Sequence, residues 1–123
     1  MVKAYLLLNA VLYFALVLWC TFRHEQASQA SGFVTLNHSG HSEYLVIYGG
    51  LQLGLAIFYA YLASSMPLHR AGVMLSLMLY GPIVIYRIVT VIIYSPVGAV
   101  TWATGALEGL LLIGAIVLYF RTR

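Results

Sequence analysis

Two ionisable residues stand inside long apolar runs: Arg87 within Ala71–Ser95 and Glu108 within Val97–Phe120, and each is the only charged residue of its run. A charge at the centre of a bilayer costs from roughly 2.5 to more than 10 kcal/mol, so such residues pair with one another or mark a working site. An arginine and a glutamate suit each other, because the guanidinium fork meets both carboxylate oxygens at once. The chemistry on offer is polar recognition inside an apolar surrounding, with a carboxyl group that could also carry a proton.

Other polar residues recur at helical spacing around this pair. Tyr48, Gln52 and Tyr59 share one face of their run at i, i+4 and i+11, and Thr101, Thr104 and Glu108 line up at i, i+3 and i+7. Tyr86 and Thr90 flank Arg87, and Glu43 stands at the head of the Gln52 run. The predicted ligand-binding pocket is therefore Arg87, Glu108, Glu43, Tyr48, Gln52 and Thr104. The first run adds little beyond Asn9 and Tyr13.

The elements that must position these residues follow from hydropathy. The chain of 123 residues is 63% hydrophobic and 7% charged, far from the roughly 25% charge of a soluble domain. Four apolar stretches, 4–22, 44–63, 71–95 and 97–120, each approach the roughly 20 residues needed to cross a bilayer. The fold class is all-α, an integral membrane four-helix bundle forming a single domain, with a polar outer loop over 23–43. The first stretch has about 18 apolar residues, longer than a usual signal core, and no small-residue cleavage site follows, so it is read as a retained anchor.

Lys3, Arg70, Arg121 and Arg123 fall on one side of this topology and Arg23 on the other. The bias predicts both termini in the cytoplasm, and it accounts for the net charge of +3 without a nucleic-acid partner. From the 1.5 Å helical rise, Arg87 lies roughly 12 Å and Glu108 roughly 18 Å below the outer surface. An extended arginine stem covers the difference of about 6 Å.

Helix contacts are expected at Gly50 and Gly54, and at Gly105 and Gly109, two small-x-x-x-small motifs of the kind that lets backbones approach. Pro82 falls inside the third helix and Pro96 at the start of the fourth. Tyr5, Tyr44, Tyr94, Trp102 and Tyr119 are placed in the aromatic belt. His24, His38 and His41 share the outer loop, but they lack the fixed-spacing Cys or acidic partners of a metal centre, so no metal and no cofactor are assigned. The apolar segment Phe33–Leu36 is expected at the membrane surface or as a cap on the bundle. Cys20 is the only cysteine, which excludes an internal disulfide.

Glu43, the stretch Tyr48-Gly49-Gly50-Leu51-Gln52-Leu53-Gly54, Arg87 and Leu107-Glu108 together resemble an uncharacterised bacterial family of four-transmembrane-helix proteins, a domain of unknown function (four-three-four-five). The resemblance runs from about Glu43 to Tyr119. It implies a bacterial inner-membrane location and marks Glu43, Tyr48-Gly49-Gly50, Arg87 and Glu108, and it implies no activity.

The function expected is binding of an amphipathic ligand, such as a lipid, quinone or isoprenoid-like molecule, with membrane lipids as the surrounding partners. One alternative is an accessory or assembly subunit of a larger membrane complex or a homo-oligomer. Another is a small proton-coupled transporter, although the first helix lacks the acid that small multidrug exporters use there. No nucleophile–base–orienter set is visible, so no catalytic residue is assigned.

Overall fold

The computed structural model describes residues 1–122, all of it helix and connections with no strand. Arg123, the last of the four basic residues on the predicted inner side, lies outside the described residues. Four helices are long and apolar enough to cross a membrane: α1 (Val2–Phe22), α3 (His38–Ser64), α4 (Met66–Tyr94) and α5 (Ala99–Arg121). A short polar helix, α2 (His24–Ala30), lies in the predicted loop.

The second spanning helix starts six residues earlier than hydropathy predicts. Its first turns, His38–Glu43, are polar and read as loop, but Asn37 accepts a 2.8 Å hydrogen bond from the Gly40 N–H. That cap satisfies one of the orphan donors of a helix start. Glu43 is thereby carried into the second turn rather than standing at the head. Within α3, residues Val46–Leu51 form a π-helical turn before α-geometry resumes at Gln52. Such turns are rare and occur often at functional sites. After α2 the chain reverses at Gly32, whose φ of +95° lies in the region that favours glycine.

The helices pack as two hairpin-like pairs, α1 against α3 and α4 against α5. The pairs meet through one half of the molecule only. Every buried residue of α4 (Gly72, Val73, Ser76, Tyr80) lies in its first half, and every buried residue of α5 (Leu111, Ala115, Leu118) in its second. Both of those halves lie at the end that carries the termini.

That closed half is fastened by close approach and by hydrogen bonds. A Cβ on Gly72 would fall 2.6 Å from a Leu6 methyl carbon, and one on Gly114 would fall 3.0 Å from the Tyr5 ring. Gly49 similarly admits Thr21 between α3 and α1, 3.2 Å from where a Cβ would sit. Gly50, Gly54 and Gly109 meet nothing within 4 Å, so the close contacts run through single glycines rather than through the paired motifs. Gly105 does make a contact, against the stem of Arg87.

Helix α1 contributes far more than Asn9 and Tyr13 alone suggest. Asn9 is fully buried, donates 2.9 Å to the Tyr5 carbonyl and accepts the Tyr80 hydroxyl from α4. Tyr59 and Ser76 share a 3.0 Å hydrogen bond between α3 and α4, and the Tyr13 and Tyr59 rings stack 5.8 Å apart. Tyr5 does not stand in an aromatic belt; its hydroxyl turns inward and donates 2.7 Å to the Leu111 carbonyl of α5. Removing one partner from such a buried network costs about 1–3 kcal/mol. Asn9→Leu is therefore expected to lower stability in a denaturant titration by about that amount, because it strands the Tyr80 hydroxyl. Tyr80→Phe combined with Asn9→Leu should cost less than the sum of the two singles.

Candidate functional site

Where the two pairs part, a cavity of about 300 Å³ remains among all four spanning helices. Its floor is the ion pair. Arg87 Nε donates 2.9 Å to one Glu108 oxygen and Nη2 donates 2.7 Å to the other, the two-point geometry expected of a guanidinium and a carboxylate. No other ion pair occurs among the described residues. The arginine reaches its partner because Gly105 has no side chain: a Cβ there would lie 3.3 Å from Arg87 Cγ. Neither charge is sealed, with 32% of the Arg87 and 20% of the Glu108 side chain exposed.

One wall is the inner face of α3, where Tyr44, Tyr48 and Gln52 succeed each other at four-residue intervals across the π-helical turn. The Gln52 side-chain oxygen is buried and has no hydrogen-bond partner among the described residues. A buried acceptor left alone is uncommon and calls for a reason. Thr101 and Thr104 of α5 form the facing wall, with the Thr104 hydroxyl donating to its own helix backbone at Val100. Leu16, Trp19 and Cys20 close the side toward α1.

The roof is aromatic. Phe33, from the segment after α2, sets its edge on Tyr44 at 5.8 Å and on Tyr48 at 6.4 Å, while Tyr44 and Tyr48 stack at 4.5 Å. The apolar loop segment therefore covers the opening. Beneath it, the Tyr44 hydroxyl donates to buried Cys20 Sγ at 3.6 Å. Tyr44 is thus part of the roof rather than of a surface belt.

Five of the predicted pocket residues, Arg87, Glu108, Tyr48, Gln52 and Thr104, line this one cavity. Glu43 does not: it is exposed, one residue and hence about 100° around the helix from Tyr44. Tyr86 and Thr90 also stay out. Tyr86 is exposed, and the Thr90 hydroxyl donates to backbone carbonyls of its own helix. Gly50 and Gly54 lie on the exposed side of α3. Residues that sequence spacing missed are Leu16, Trp19 and Cys20, which line the cavity from α1, while Phe33 belongs to the apolar loop segment expected at the membrane surface or as a cap and lies over the cavity. Of the predicted loop histidines, His24 on α2 and His41 on α3 meet edge to face at 5.1 Å. Among the described residues no group of three His, Cys, Asp or Glu side chains gathers as a metal site would.

No family model, no curated protein and no solved structure matches the chain. The functional reading therefore rests on the geometry above.

Proposed function

We propose that this is a small multi-pass protein of a bacterial inner membrane that binds an amphipathic molecule between its two helix pairs, the location being the one that a resemblance to the bacterial four-helix family implies. One observation carries the reading: the pairs are fastened through one half and parted in the other, and the parted half holds a charge pair, a lone amide and an aromatic roof around an open volume. Cavities between bundle helices that join mostly apolar walls to a few convergent polar groups are typical of small-molecule sites, and about 300 Å³ stands at the small end of that range. Lys3, Arg70 and Arg121 favour a cytoplasmic position for the closed end, which puts the cavity in the outer leaflet.

The test is mass spectrometry of the gently purified protein and of Thr104→Trp. The indole fills the cavity and leaves both charges in place. Wild type is expected to retain a bound small molecule and Thr104→Trp to lose it while staying folded. Equal recovery from both, or an empty wild type, overturns the reading.

A second reading, a subunit of a larger membrane complex, draws on Gly50 and Gly54. Both face away from the bundle with open space before them, as a helix-packing face awaiting another chain would. Mild-detergent purification yielding only a monomer counts against it.

A further inference from the structure

The polar groups of the cavity are unequal in kind. Of the five N–H donors of a guanidinium, Arg87 directs two at Glu108 and keeps three. Gln52, Tyr48 and Trp19 also line the cavity, and none of their side chains makes a hydrogen bond among the described residues. Of the acceptors, the Glu108 carboxylate is already taken by Arg87, and the Gln52 amide oxygen stands buried without a partner among the described residues. The site therefore offers several spare donors against one spare acceptor, with its formal charges cancelled.

A second hollow adjoins it. A groove of about 450 Å³ runs between α4 and α5 on the outer surface, lined by Val84, Ile88, Val91, Trp102 and Ala106. Arg87 and Thr101 line both this groove and the polar cavity, so the two hollows share a wall at the height where Gly105 lets the arginine stem through. The groove is almost wholly apolar, as a hydrocarbon chain requires.

We infer that the ligand carries an uncharged head rich in hydrogen-bond acceptors, of the quinone or ester-carbonyl class, held by Arg87, Gln52 and Tyr48, with its tail in the α4–α5 groove. An anionic head on the remaining Arg87 N–H groups would set a second negative charge beside Glu108, with one guanidinium to serve both. A cationic head would find the single Gln52 amide oxygen and leave the donors of Arg87 and Tyr48 without an acceptor. A carbonyl oxygen uses the donors and leaves the ion pair intact. This inference rests on the amphiphile-binding reading above and deepens it.

The experiment titrates the full chain in micelles with four probes that share a decyl tail and differ in head: a benzoquinone, a phosphate, a trimethylammonium and a plain benzene ring. Occupancy is read by native mass spectrometry. The quinone probe is expected to bind about tenfold more tightly than the others, the increment of one charge-assisted hydrogen bond. Gln52→Leu should remove much of that advantage and leave the benzene probe unchanged, and exposed Ala106→Trp should weaken every probe by filling the groove. Equal binding of all four probes, or tighter binding of the phosphate, overturns the head-group assignment while the amphiphile reading survives. An Ala106→Trp variant that binds as wild type does overturns the place of the tail. Binding of none of them counts against both the inference and the reading beneath it.

Discussion

Arg87→Met is expected to destabilise the protein by about 2 kcal/mol, Glu108→Leu by a similar amount, and the double substitution by much less than either. Breaking a fully buried pair leaves one charge uncompensated and costs roughly 3–5 kcal/mol, while an exposed pair contributes about 0–1. With 32% and 20% of its side chains exposed, this pair falls between those limits. Removing both charges removes the penalty of the stranded partner, which is why the double variant recovers. Denaturant titration of all three variants in the same detergent checks the pattern. The same three proteins separate structure from function. If the pair only fixed helix register, the folded double variant would retain whatever wild type carries. If the pair serves the cavity, the double variant folds and comes out empty.

The second large effect belongs to a residue with no charge at all. Gly72→Val is expected to cost about 1–3 kcal/mol through overpacking, whereas Gly54→Val should fall within about 0.5 kcal/mol of wild type. At Gly72 the first added carbon already lies 2.6 and 2.7 Å from the two methyl carbons of Leu6, and Leu6 is fully buried with little room to withdraw. At Gly54 nothing lies within 4 Å. Leu6→Ala should recover part of the Gly72→Val loss, since the two residues occupy one contact and their effects are coupled. A Gly72→Val protein as stable as wild type would remove this contact from the account of how α1 meets α4.

These two contrasts mark what could be read from the chain before its fold was known. Hydropathy gives the four spans, because each needs a length of apolar residues that no soluble helix of this composition would show. Arg87 and Glu108 are legible for the converse reason: a charge in such a run is costly enough to require a partner, and helical rise brings the two to compatible depths. The closing contacts are not legible. Gly72 and Gly114 are isolated glycines, and which single glycine faces a bulky neighbour depends on the rotation of each helix. Tyr5, Asn9, Tyr13, Tyr59, Ser76 and Tyr80 escape for a related reason, since tyrosine suits a lipid boundary and an interior hydrogen bond equally well. The early start of α3 had a local signal in Asn37, whose cap outweighs the polarity of the turns that follow. Glu43, read as the head of the span, lies instead within the continuing helix, where one residue's rotation from Tyr44 turns it out of the cavity. Phe33 is legible only as part of an apolar break in a polar loop, which allows a place at the membrane surface or on the bundle, and its contact with Tyr44 and Tyr48 decides between them.

The roof has a consequence for measurement. Cys20 is the only thiol of the protein, buried under Tyr44 and facing the cavity that Phe33 covers. A sulfur so placed meets a water-borne reagent only while the aromatic cover stands aside. The alkylation rate of this single atom in the unaltered protein then counts how often the cover opens, and an occupant in the cavity would slow the clock.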